Sequence, residues 1–133
     1  MARSKSKHPT EVELEVLKIL WDHPPLAVRE VREAMAEQGR ELAHTTLITT
    51  LNVMFAKGYV ERRNLGGGKG YSFSPKVGRD QVSKGMLGDL VQRVFGGSAS
   101  ALMLGLLENE QLKPAEQAEL MSVIEQYRKK KGL

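Results

Sequence analysis

Apolar side chains recur at helical spacing in three stretches before residue 58. They then alternate with polar ones along two short runs, and return to helical spacing from about residue 80 to the end. In the first stretch Val12, Val16, Leu17, Ile19, Leu20 and Trp21 fall on one broad face, as a helix packed on one side requires. Thr10-Glu11-Val12-Glu13 has the form of a capping box, with Thr10 as N-cap and Glu13 reaching back to it. Glu11, Glu13 and Glu15 are expected to serve the helix dipole and solvent. Pro24-Pro25 forbids continuation, and Leu26-Ala27 leaves room for no more than a stub of strand.

A second helix is predicted from about Val28 to Gln38, with Val31, Ala34 and Met35 inward and Gly39 just past its end. The third runs from near His44 to Lys57 and stops at Gly58. Leu47, Leu51, Met54 and Phe55 stand at i, i+4, i+7 and i+8, one buried stripe. Away from that stripe lie Thr45, Thr46, Thr49, Asn52, Val53 and Ala56: short, mostly hydroxyl-bearing and free of negative charge. Tyr59–Arg63 and Tyr71–Ser74 then alternate as half-buried strands do, joined by the flexible tip Asn64–Gly70 and closed by Pro75. Three helices and a hairpin make a winged helix-turn-helix, with the hairpin as the wing.

The pattern changes near residue 77. Three further helices are predicted over about 80–95, 99–108 and 114–130, and no strand. About fifty residues so rich in apolar surface rarely close a core alone, so this segment is expected to share one with a second copy. The residues expected to form that dimer contact are Leu87, Leu90, Val91, Val94, Phe95, Leu102, Leu106, Leu107, Leu120 and Ile124. The fold class is therefore mainly α with a small β-hairpin wing: a winged-helix domain over 1–76, with a basic N-terminal arm, and a helical dimerisation domain over 77–133.

Charge sharpens this picture. The net charge of +4 allows an anionic partner. Residues 1–76 hold 12 Lys/Arg against 9 Asp/Glu and residues 77–133 hold 8 against 7, so the first segment is the more basic. Threonine hydroxyls can donate to phosphates, and threonine methyls can meet thymine methyls in a major groove. The candidate DNA contacts are His44, Thr45, Thr46, Thr49, Thr50 and Val53 on the third helix, Arg62, Arg63 and Lys69 around the wing, and Arg3, Lys5 and Lys7 on the arm.

Other chemistry is not supported. Gly68-Lys69 is followed by Gly70 where a phosphate-binding loop needs Ser or Thr, and it lies between strands instead of before a helix. His8, His23 and His44 are scattered without companions at ligand spacing, and the absence of cysteine excludes disulfides and thiolate metal sites. No serine and histidine form a recognisable catalytic arrangement, so neither an enzyme nor a cofactor is expected. The most apolar run, Ala99–Leu107, is far below the roughly 18 residues that span a bilayer, and the start has no signal-peptide core. A cytoplasmic protein is expected.

The succession of Leu20-Trp21, the Thr46–Lys57 helix running into Gly58-Tyr59-Val60, a glycine wing, Tyr71–Pro75, and Phe95-Gly96-Gly97 before a leucine-rich helix resembles the BlaI/MecI/CopY family of bacterial winged-helix repressors. The resemblance spans about Glu13 to the C-terminus. It implies a homodimer held by the C-terminal helices, bound to a near-palindromic DNA operator and blocking transcription. By position it implies that Thr46, Thr49 and Thr50 lie in the DNA-reading helix, with Arg62, Arg63 and Lys69 around the wing.

This chain departs from the family pattern in three places. Many members carry Arg near the positions of Ile48 and Val53. Members induced by β-lactams are cut at an Asn-Phe pair under the control of a membrane sensor protease, and the corresponding place here reads Gly105-Leu106, the candidate cleavage site. The copper-responsive branch uses paired Cys-x-Cys motifs, and there is no cysteine here. The inducing signal stays open. A rival reading is a winged helix used for docking a partner protein, supported by Val53 and Ala56 on the exposed face. A third is an effector pocket between the two domains.

Overall fold

The protein's structure, a computed structural model, describes residues 8–132. The order is α1 (Glu11–Asp22), β1 (Leu26–Ala27), α2 (Val28–Glu37), α3 (His44–Lys57), β2 (Val60–Asn64), β3 (Tyr71–Pro75), α4 (Arg79–Val94), α5 (Ala99–Leu107) and α6 (Pro114–Lys131). This is the helical fold with a small sheet that the hydrophobic pattern predicts. The chain divides into two compact units, residues 1–86 and 87–133, and the division falls inside α4.

In the first unit α1 begins as its capping box dictates. The Thr10 hydroxyl accepts from the Glu13 amide, and the Glu13 carboxylate accepts from the Thr10 amide. The expectation that Glu13 serves the dipole and solvent is corrected here, because Glu13 is buried at 3% exposure. Its carboxylate also takes both contacts of the Lys57 ammonium, at 3.1 and 3.0 Å. Glu15 pairs with Arg40 at 3.4 Å. The two carboxylates thus tie α1 to α3 and to the link that follows α2.

The core is built from the predicted stripes: Val16, Leu17, Ile19 and Leu20 of α1, Val31 and Met35 of α2, Leu47, Leu51 and Met54 of α3, with Val60 and Phe73 of the sheet. Phe55 is the exception. It is 40% exposed, because at i+8 it has drifted to the edge of the stripe and faces the wing instead of the core. The two-residue β1 does pair, giving a three-stranded antiparallel sheet in the order β1-β3-β2, with Leu26 opposite Phe73. Beyond the wing, the Trp21 indole donates to the Val77 carbonyl at 2.9 Å. Val77 and Val82, C-terminal to the boundary expected after residue 76, pack against this same core.

No residue of α4, which straddles the division, or of α5 and α6 in the second unit is buried. Leu87, Leu90, Val94, Leu104, Leu106, Met121, Val123 and Tyr127 are exposed apolar side chains. The α5–α6 connection is held by Gln117, whose amide donates to the Leu107 carbonyl at 3.0 Å. No single helix among the described residues is long and apolar enough to cross a membrane.

Candidate nucleic-acid interface

The geometry of α3 follows from what holds its two ends. At its start the Arg32 guanidinium of α2 donates to the Leu42 carbonyl at 2.9 Å, fixing the link that leads into the helix. At its end Lys57 is locked to Glu13 of α1. Gly58 then takes a left-handed conformation, φ 82°, which lets its amide and that of Tyr59 close the last turn before the chain enters β2. Leu47, Leu51 and Met54 face the core, and the opposite side of the helix is left to solvent.

That outward side carries Thr45, Thr46, Ile48, Thr49, Asn52, Val53 and Ala56, all exposed and all uncharged. Thr50 is half-buried. Threonine hydroxyls on this face are expected to donate to phosphates, but two of them donate elsewhere. Thr49 Oγ1 donates to the Thr45 carbonyl at 3.0 Å, and Thr50 Oγ1 to that of Thr46 at 2.9 Å. Back-bonding of this kind is common for threonine in helices. It leaves the methyl groups and the oxygen lone pairs as what these residues present outward.

The wing tip carries hydrogen bonds of its own. The Asn64 side chain accepts from the Gly66 amide at 2.8 Å, Leu65 N–H donates to Gly70 at 2.9 Å, and Lys69 N–H to Gly66 at 3.0 Å. Arg63 and Lys69 are exposed there. Arg62 is not similarly placed: its guanidinium lies between the rings of Phe55 and Tyr71 and bonds Asn52. Arg3, Lys5 and Lys7 lie outside the described residues. The structure therefore brings together on one unit the third-helix residues from His44 to Val53 and the wing residues Arg63 and Lys69. Asn52, exposed among them, was not among the candidate contacts. The hydrophobic pattern already sets it off the apolar stripe, and only its polar amide among the threonines distinguishes it there.

Among the described residues no group of His, Cys, Asp or Glu is placed to hold a metal ion. In the second unit Gly105 and Leu106 occupy the last turns of α5, with the Phe95 ring beside Gly105. A protease takes an extended segment, so cutting there requires that end of α5 to open.

Residues 9–126 match the family described as penicillinase repressor. The chain belongs to that family. As a penicillinase repressor family member it is a DNA-binding transcriptional repressor and not an enzyme. It is 24% identical over 122 residues to the penicillinase repressor of Bacillus licheniformis, an alignment covering 92% of this chain and 93% of that one. It is 22% identical over 121 residues to the penicillinase repressor of Staphylococcus aureus, covering 89% and 91% respectively.

Proposed function

We propose that the protein represses transcription as a homodimer bound to a near-palindromic operator, with α3 of each protomer in a major groove and the wing against the flanking backbone. The observation that carries this reading is the outward face of α3, uncharged at every exposed position from Thr45 to Ala56 and held at both ends by α1 and α2. A helix of this kind can approach a polyanion closely, and its methyls and hydroxyl oxygens suit base edges. Arg63 and Lys69 supply phosphate neutralisation from the wing, and the basic arm adds Arg3, Lys5 and Lys7. Half-sites in such a dimer lie about one helical turn, or a multiple of it, apart.

Support for the homodimer comes from the C-terminal helices α4, α5 and α6. Three helices without one buried residue, and with Leu87, Val94 and Leu106 exposed, leave apolar surface that a second copy covers by two-fold symmetry. An operator-bound repressor works in the cytoplasm and needs no cofactor. The helical setting of Gly105-Leu106 gives no support to cleavage by a membrane sensor protease as the inducing step.

The test is selection of bound fragments from sheared genomic DNA by the purified protein, sequenced after binding at two salt concentrations. A palindromic motif that survives the higher salt is the expected result. Uniform, salt-sensitive binding without a motif, or no binding, would favour use of the winged helix to dock a partner protein.

A further inference from the structure

Arg62 belongs to the wing by sequence, yet its head group is turned toward α3. The guanidinium carbon is 4.1 Å from the Phe55 ring centroid and 4.4 Å from that of Tyr71. Nη1 lies 3.3 Å from Asn52 Oδ1. Strand register explains the placement. Arg62 stands opposite Phe73, and residues directly opposite each other share one face of a sheet. Phe73 is buried, so the stem of Arg62 starts on the inward side and its charged head runs out between two aromatic faces. A planar guanidinium suits that slot, and an ammonium does not.

A guanidinium has donors and no acceptor, so the end of Asn52 that meets it is the oxygen. The two Nδ2 hydrogens are left for a partner outside the protein, on an exposed position of α3. We propose that Asn52 is a base-reading residue whose amide is aimed by Arg62, and that Arg62 is a positioning residue instead of a phosphate contact. This rests on α3 being the DNA-reading helix.

The chemistry fixes what Asn52 selects. An asparagine with both ends available takes adenine bidentately, accepting from N6 and donating to N7. Here Arg62 takes one lone pair of that oxygen, and the second lone pair and both Nδ2 hydrogens remain. In the major groove guanine O6 and thymine O4 are acceptors at the position where adenine and cytosine carry an amino donor. Asn52, aimed by Arg62, therefore favours adenine, accepting from N6 and donating to N7, at one position in each half-site.

The experiment is selection from a randomised duplex library by the full-length protein, with the affinity for the winning site then measured across a salt series. Wild type, Asn52→Ala, Arg62→Ala, Arg62→Lys and the Asn52→Ala/Arg62→Ala double variant are compared. In the wild-type motif one position per half-site is adenine, an A·T pair and not G·C. Asn52→Ala and Arg62→Ala each flatten that same position by about tenfold. The double variant flattens it no further, as expected of residues acting through one contact. Arg62→Lys flattens it too, although the charge is kept, and none of the variants changes the salt slope.

A slope lower by about one unit in Arg62→Ala, with the motif intact, would make Arg62 a phosphate contact and overturn the proposal. So would an Asn52→Ala motif identical to that of wild type. Asn52 is exposed, so its alanine variant folds and tests the base-reading role by itself; if Arg62→Ala fails to fold, Arg62→Lys supplies the comparison. Failure of the underlying reading looks different, since wild type itself would then select no motif.

Discussion

Thr49 and Thr50 each direct their hydroxyl proton back to a carbonyl four residues earlier, so their contribution to an interface is a methyl group and a lone pair. Thr49→Glu places a carboxylate on that face. It is expected to abolish specific binding in a gel-shift titration and to leave the sedimentation behaviour unchanged; unimpaired binding would remove Thr49 from the reading surface. Lys69 acts differently, by charge alone. Lys69→Ala is expected to weaken binding to all sequences alike and to reduce the slope of log K against log salt by about one unit. An unchanged slope would mean that the wing tip does not touch phosphate. Arg62 marks the limit of reasoning from charge. Its neighbours Glu61 and Arg63 are exposed, and period-two alternation puts Arg62 on the face of Val60, yet charge alone groups it with Arg63 and Lys69. The partners that hold it, Asn52, Phe55 and Tyr71, are joined to it only by the fold.

At the scale of elements, the helices and strands were legible because periodicity, caps and breakers agree with one another. The capping box at Thr10, the stop at Gly58 and the strand pair around the glycine tip all lie within a few residues of the signals that predict them. The second duty of Glu13 was not legible. Lys57 is 44 residues away in the chain, and nothing local marks the two as partners. Because one buried carboxylate both caps α1 and holds the end of α3, its loss has two consequences. Glu13→Ala is expected to destabilise the first unit by about 1–3 kcal/mol in thermal or denaturant unfolding, leaving a cap donor and an ammonium without their acceptor. Thr10→Ala, which removes only the cap, is expected to cost about 1 kcal/mol. Equal losses in the two variants would show that the Lys57 pair adds nothing.

At the scale of the whole molecule the two units differ in how they meet the requirement to bury apolar surface. Among the described residues the first closes a core of eleven hydrophobic side chains. The second has helices of ordinary length with none of their residues buried. An excess of apolar residues over what fifty residues can enclose is visible in composition, but the partner that covers them is not. If a second copy does, a charge on that surface should weaken association without unfolding the chain. Val94, 67% exposed, is a suitable position. Val94→Glu is expected to raise the dimer dissociation constant at least about tenfold by analytical ultracentrifugation, with unchanged circular dichroism. A dissociation constant equal to that of wild type would place the interface elsewhere.

Gly58 has a bearing on how such a protein can change. Between the last residue of α3, Lys57, and the first of β2, Val60, there are only two residues, and the left-handed glycine sets the angle at which one leaves and the other starts. The joint has no slack, so the offset between the helix and its hairpin behaves as a fixed ruler. The far end of the hairpin is under no such constraint, since a Cβ added at Gly66, Gly67, Gly68 or Gly70 would meet no neighbouring atom within 4 Å. Extra residues there would lengthen the hairpin's reach and leave the helix where it is, while one extra residue beside Gly58 would rotate the whole strand pair against it. Variation in length is therefore cheap at one end of the hairpin and disruptive at the other. A family of such chains could vary its grip on the backbone while keeping its reading of the bases.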